Sequence, residues 1–216
     1  LGQAHAEAEQ LWANGSFGPP LAAFGAEPME EVVWNQVLFQ DEPKAYWCAP
    51  DTEGGESLQA LSGNISEFAR SLHDPISKKL GITWNNMWDA MLCCYSGNKT
   101  YAVHVDNPMG KNQDKLPDNG LAVSVAYYIN PHWSPEERYN GGGLDVFLTD
   151  PKEPPTSLTA ARRSHKLRIA PHADTLVVFL ASRMAHQIIS TRDDERWFCL
   201  WLWCFTEEKM SNFPVR

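Results

Sequence analysis

The chain is short of several things, and each absence excludes something. No apolar run approaches the roughly 20 residues that a membrane-spanning helix needs. No charged-then-apolar secretory leader opens it. No Cys-x-x-Cys pair occurs, which removes the common zinc-site patterns. The five cysteines, Cys48, Cys93, Cys94, Cys199 and Cys204, are odd in number and irregular in spacing, so they form no disulfide framework. Cys93, Cys94 and Cys199 lie in apolar stretches and are expected as small core residues. Two Asn-x-Ser/Thr sequons, at Asn64 and Asn98, read as chance matches. A reducing compartment, cytoplasmic or nuclear, is expected. Basic residues are also few, 18 against 27 acidic ones, for a net charge of -9. That argues against bulk nucleic-acid binding. One basic run, Arg162-Arg163-Ser164-His165-Lys166-Leu167-Arg168, reads as a solvated loop entering a strand; the alternative is steering of an acidic peptide or contact with a polyanion. There is no internal repeat and no low-complexity tract. The sequence opens at Leu1 without a methionine, from which an excised domain of a longer protein is expected.

What is present is an ordinary globular composition, 43% hydrophobic over 216 residues. One domain with a sizeable core is expected over residues 1–216. Residues 1–89 would be its helical and strand support, and residues 90–205 its β core. Residues 1–14 read as a helix closed by Asn14-Gly15. Residues 32–39 and 45–48 are β-branched and aromatic, as strands are. Leu58, Leu61, Ile65, Phe68 and Leu72 make an amphipathic stripe in a helix over 56–80, ended or kinked at Asp74-Pro75. Strands follow at 91–95, 121–130, 144–148, 166–169, 175–180, 187–189 and 197–205. Loops at 108–120, 131–140 and 150–164 separate them. The fold class is therefore mainly β with supporting α-helices, a sandwich or barrel with helices on one outer face.

The chemistry centres on Tyr101-Ala102-Val103-His104-Val105-Asp106-Asn107-Pro108. If a strand runs through it, His104 and Asp106 share a face and can reach one metal ion. A second histidine would complete a two-histidine, one-carboxylate facial triad, which leaves coordination positions open. His186 is the candidate; the alternative is a satisfied core histidine. Ten residues on, Arg196 opens a very aromatic strand. A guanidinium entering an apolar interior needs an anionic partner. That partner is either a dicarboxylate co-substrate gripped by the planar fork or one of Asp193, Asp194 and Glu195. His5, His73, His132, His165 and His172 have no partner at ligand spacing.

These residues in this order resemble the iron(II)- and 2-oxoglutarate-dependent oxygenases, closest in pattern to the hypoxia-inducible-factor prolyl hydroxylases. Cys94-Tyr95-Ser96-Gly97-Asn98, the His104 stretch, Val125-Ala126-Tyr127-Tyr128-Ile129-Asn130 with Trp133, Gly142-Gly143-Leu144-Asp145-Val146-Phe147, and residues 186–203 carry the likeness. It implies a double-stranded β-helix (jelly-roll, cupin-like) core. It implies iron(II) on His104, Asp106 and His186 as the catalytic centre. It implies 2-oxoglutarate held by Arg196 and Tyr128 at its distal carboxylate, Tyr95 near its chelating end and Leu144 along its carbon chain. Tyr101 and Trp47 would face substrate. Hydroxylation of prolyl residues in a peptide or protein is implied, with dioxygen consumed, succinate and carbon dioxide released, and ascorbate as an accessory reductant. A free amino acid or other small molecule is the alternative substrate, and a catalytically dead binding module the alternative class. A monomer is expected, with neither nucleic acid nor membrane as partner. The sequence departs from the animal oxygen-sensing enzymes in three places. Leu121 stands where they carry an arginine, the loop after Pro108 is longer, and Trp201 and Trp203 flank Leu202 where a tryptophan is expected.

Overall fold

A computed structural model describes residues 1–18, 46–49, 52–88, 90–97, 103–107, 120–133, 141–148, 158–192 and 195–206. The strand expected at 32–39, Tyr101 and the loop after Asn107 lie outside these. Four helices and nine strands are described: α1 (Gly2–Ala13), β1 (Tyr46–Cys48), α2 (Glu56–Ser71), α3 (His73–Leu80), β2 (Asn86–Met87), β3 (Met91–Ser96), β4 (Leu121–Tyr128), β5 (Gly141–Leu148), α4 (Leu158–Arg162), β6 (His165–Ile169), β7 (Thr175–Leu180), β8 (Ala185–Thr191) and β9 (Arg196–Phe205).

The strands form two antiparallel sheets. The larger runs β1-β3-β9-β4-β7, with β2 added to β9; the smaller runs β6-β5-β8. Such a pair of sheets is the double-stranded β-helix expected from the resemblance. β9 is buried along nearly its whole length, and its alternate residues serve two different cores. Phe198, Leu200, Leu202 and Cys204 pack outward against Ala4, Ala8 and Leu11 of α1 and Leu58, Ile65 and Ala69 of α2. Trp197, Cys199 and Trp201 face inward, against Leu144 and Val146 of β5 and Ile188 of β8.

The helices differ from expectation in one respect. The helix over 56–80 breaks at Leu72, before Asp74-Pro75, and Pro75 sits in the first turn of α3, where its missing N–H costs nothing. No side chain of its own caps α2. Instead the Glu7 carboxylate of α1 accepts the amides of Ser57 (2.9 Å) and Leu58 (3.0 Å), placing an anion at the positive end of the helix dipole. The loop expected at 150–164 contains the short helix α4. All five cysteines are buried and free. No helix among the described residues is long and apolar enough to cross a membrane.

Candidate metal and co-substrate site

His104 does not lie in a long strand. It makes an isolated bridge to His186, with both reciprocal backbone bonds formed: His104 N–H to His186 O at 3.0 Å and His186 N–H to His104 O at 2.9 Å. Residues directly opposite on neighbouring strands project side chains to one face, and the two imidazoles stand 4.3 Å apart between centroids. The chain bends after His104, so Asp106 arrives by a turn rather than by strand alternation. Asn107 holds that turn: its amide N–H bonds to Ala181 O (2.9 Å) and its side-chain Nδ2 to Leu121 O (2.8 Å). The Asp106 Oδ1 then lies 3.4 Å from His104 Nε2 and 3.5 Å from His186 Nε2.

One ligand atom from each of His104, Asp106 and His186 falls within 4.8 Å of the other two, as three donors around one ion require. His186 is 2% exposed and His104 7%. Neighbouring groups prepare these donors. The Nδ1 of His186 lies 3.1 Å from Met184 O, so an Nδ1–H tautomer leaves Nε2 as the free donor. The Ser124 hydroxyl donates to Asp106 Oδ2. Burial, reinforced by His104, lowers the His186 pKa to about 4, although Asp106 and the Met184 carbonyl pull it upward. Burial works against a charge on Asp106, but His186, His104 and Ser124 outweigh it and hold its pKa below the usual carboxylate range. A neutral imidazole beside an ionised carboxylate is the protonation pattern a divalent metal takes. The residues present fit iron(II).

Beside the metal ligands lie the expected co-substrate residues, with one exception. Tyr95, Tyr128 and Leu144 all belong to the inner core. Tyr128 and Leu144 are 0% exposed. Burial raises the Tyr128 pKa well above that of an ordinary phenol, so its hydroxyl is a donor at any physiological pH. The hydroxyl of Tyr128 and the indole N–H groups of Trp197 and Trp201 are buried without a hydrogen-bond partner among the described residues. Unpaired buried donors are costly. All three residues belong to the inner core.

Arg196 is the exception. It shares the outer face of β9 with Phe198, and both Nε (2.9 Å) and Nη2 (2.6 Å) donate to Glu9 Oε2 of α1. Its guanidinium also lies 5.9 Å from the Trp12 ring centroid. Glu9 is the partner seen among the described residues. The cause lies in Asn130, whose side chain accepts the Phe198 N–H (2.7 Å) and donates to Phe198 O (2.9 Å) and Pro171 O (2.7 Å). This clamp sets the face of Phe198, and with it that of every β9 residue. The first inward side chain of the strand is Trp197.

Trp47 of β1 lies on the inner side, half-buried, and stacks on Trp203 at 5.0 Å with rings 12° apart. Trp203 in turn stacks on Trp201 (6.0 Å, 13°), whose ring centroid is 6.4 Å from that of His186. The basic run is divided: Lys166 and Arg168 pair with the buried Asp145, while Arg162 and Arg163 are exposed. Ser124, Asn130, Trp197 and Trp203 were not singled out by sequence pattern for these positions. Strand alternation counted from Phe198 finds the tryptophans.

A family model for the 2OG-Fe(II) oxygenase superfamily matches residues 90–204. The chain belongs to that superfamily, whose metal and co-substrates are iron(II), 2-oxoglutarate and dioxygen. Among solved structures it is similar to a prolyl hydroxylase from Trichoplax adhaerens in complex with a hypoxia-inducible-factor oxygen-degradation-domain peptide. That match has 19% identity and a TM-score of 0.66, covering 99% of this chain and 81% of that one. It is similar to a Pseudomonas putida prolyl-4-hydroxylase (19% identity, TM-score 0.58, 94% and 84% covered). The epimerase SnoN, in complex with Fe3+, alpha-ketoglutarate and nogalamycin RO, is a further neighbour (14% identity, TM-score 0.54, 95% and 75% covered). No curated protein matches the sequence. At these identities the structural likenesses establish the fold.

Proposed function

We propose that this oxygenase hydroxylates prolyl residues in a peptide or protein substrate. The observation that carries the reading is the stacked series Trp201, Trp203 and Trp47, running from His186 to a half-buried edge of the larger sheet. Aromatic-lined surfaces take up proline-containing segments, whose preformed backbone loses little entropy on docking. His104, Asp106 and His186 would hold iron(II), while Tyr128, Tyr95 and Leu144 would line the 2-oxoglutarate pocket. When bound, the metal with 2-oxoglutarate and dioxygen supplies the oxidative chemistry, in which a C–H bond becomes C–OH and 2-oxoglutarate becomes succinate and carbon dioxide. The chain's own work is to orient and to exclude water. Met184 O fixes the His186 ring, Ser124 fixes Asp106, and the inner apolar wall keeps the site dry. Ascorbate as an accessory reductant, a monomeric state and a reducing cytoplasmic or nuclear location belong to the same proposal; five free buried thiols support the last.

The test is mass spectrometry of proline-containing peptides after incubation with iron, 2-oxoglutarate and ascorbate, with succinate measured in parallel. A gain of one oxygen on a prolyl residue, matched by succinate, is the expected result. Succinate formed only with a free amino acid or another small molecule would replace the peptide reading with the small-molecule one. No succinate with any substrate, together with no metal uptake, would sink both.

A further inference from the structure

Among the described residues, three rings lie beside that of His186: His104, Phe179 (4.8 Å, planes 55° apart) and Trp201 (6.4 Å, 28°). Trp201 leads outward. From it the series continues to Trp203 (6.0 Å, 13°) and then to Trp47 (5.0 Å, 12°), each step shorter than the last. Trp201 is 4% exposed, whereas Trp203 and Trp47 are half-buried. An unbroken file of indoles therefore joins a metal-ligand ring to the edge of the larger sheet.

Indole is among the side chains that lose one electron most readily; the phenyl ring of Phe179 is not. Two indoles in near-parallel contact share the positive charge that oxidation leaves, so the Trp203–Trp47 pair holds it more stably than Trp201 does. The Trp201 N–H has no hydrogen-bond partner among the described residues. An oxidised Trp201 thus finds no acceptor for its proton, and a charge that proton loss does not fix in place moves on. The gradient for positive charge runs outward, and that for electrons inward.

Such a path answers a chemical need. When 2-oxoglutarate and dioxygen react with no substrate in place, one oxygen atom of dioxygen enters succinate. The other has no C–H bond to enter, and its release as water takes two electrons and two protons. Ascorbate gives up two of each on becoming dehydroascorbate.

We propose that the Trp201–Trp203–Trp47 stack is an electron path by which a reductant of the ascorbate class, at the protein edge, discharges turnovers made without substrate. Each electron passes from ascorbate to the Trp47–Trp203 pair and through Trp201 to the metal site. The two protons that ascorbate releases to water are matched by two taken up at the site. No bond of an indole is made or broken. The inference rests on reading His186 as a ligand of iron(II). The half-buried rings are also the proposed substrate surface, so bound substrate covers the entry, and the path opens when substrate is absent.

The test runs iron-loaded protein with 2-oxoglutarate and dioxygen but no substrate. Succinate, ascorbate consumption and, by peptide mass spectrometry, the sites of oxygen addition to the protein are measured together. Wild type is expected to consume one ascorbate per succinate and, when ascorbate is withheld, to gain oxygen at Trp47 and Trp203. Trp203→Phe keeps a ring in the stack but breaks the path. It should lose most of its ascorbate consumption per succinate, and oxygen addition should retreat to Trp201 and the peptide carrying His186. Trp203→Tyr restores an oxidisable ring and should recover both readouts, whereas a merely structural stack would treat the two rings alike. Near-ultraviolet circular dichroism of the metal-free proteins checks that both variants keep the fold. Trp203→Phe matching wild type in both readouts, or Trp203→Tyr faring no better than Trp203→Phe, overturns the proposal. Metal uptake by wild type without succinate formation removes the need for the path and overturns it too. Absence of both succinate and metal uptake sinks the metal site itself, and the inference with it.

Discussion

The two ends of the space between the sheets handle their polar groups differently. At the metal end His104, Asp106, His186, Ser124 and Met184 O are joined to one another, one carboxylate serving two imidazoles and a hydroxyl. At the other end Tyr128 and Trp197 offer donors that meet no acceptor among the described residues. The first end is charged and satisfied from within the chain. The second is neutral. A metal-free protein thus keeps its ligand cluster assembled through internal contacts. Order at the metal end should survive loss of the metal.

Removing a ligand breaks the metal end outright. His104→Ala or Asp106→Ala should bring succinate formation below detection and abolish stoichiometric metal uptake, measured by elemental analysis of the purified protein. Metal bound at wild-type stoichiometry in both variants would show that the ion sits elsewhere.

Acid should separate the two ends next. In the metal-free protein His186 has its pKa lowered to about 4, from an ordinary 6.5. Between those values the unfolded chain takes up a proton that the folded chain refuses. The contribution of His186 to stability is therefore complete above about pH 6.5 and declines as pH falls toward 4, by up to a few kcal/mol. Asp106 adds a loss of the same sign at lower pH, because its folded pKa is depressed and its contribution disappears as it protonates. Urea midpoints of metal-free protein at pH 7.5, 6 and 5 check this, with His186→Asn as the control whose slope should flatten. Tyr128 does not titrate in this range, so the far end should be silent. Equal slopes in the two proteins would refute the role given to His186.

A milder lesion tests whether the network matters beyond its three ligands. Ser124→Ala removes the hydroxyl that holds Asp106 Oδ2 and should weaken metal binding about 10- to 100-fold, as loss of a ligand's supporting hydrogen bond typically does. Unchanged affinity for cobalt(II), followed by its absorption bands, would reduce that bond to an incidental contact.

How much of this was legible in sequence follows the same division. The metal end was readable because its signal is local: two ligands two residues apart, then His186 at a strand start. Even so, the geometry that joins His104 and Asp106 is a bend held by Asn107, not the strand alternation that the spacing suggested. Most of the β core was readable for the same reason, and β7 falls on the expected residues 175–180. The far end was not readable. β9 is buried on both faces, so it has no apolar–polar contrast from which to tell inside from outside. Its facing is set by Asn130, 68 residues away, and Arg196 finds its partner in Glu9, 187 residues away. One trace of it was present in the chain. Trp201 and Trp203 straddle the place where a single tryptophan is expected, a displacement by one residue, and in a strand one residue exchanges the faces.

That displacement makes Arg196 the position where the smallest effect carries the most information. On the outer face its bond to Glu9 is an exposed pair, with the two side chains 36% and 35% accessible. Such pairs contribute about 0–1 kcal/mol, because water already solvates both charges and two long side chains must be ordered to meet. Arg196→Met retains most of the side chain's apolar contact with Trp12 and removes the charge. It should lower the urea midpoint slightly, with a free-energy change below about 1 kcal/mol, and leave the rate of succinate formation within about 2-fold. Glu9→Gln should do the same. The double variant should lose no more than either single one, since the second substitution removes a group whose partner has already gone. Independent, additive losses would mean that the two residues do not pair in solution. An enzyme disabled by Arg196→Met but untouched by Glu9→Gln would place the guanidinium inside the sheets and erase the contrast between the two ends.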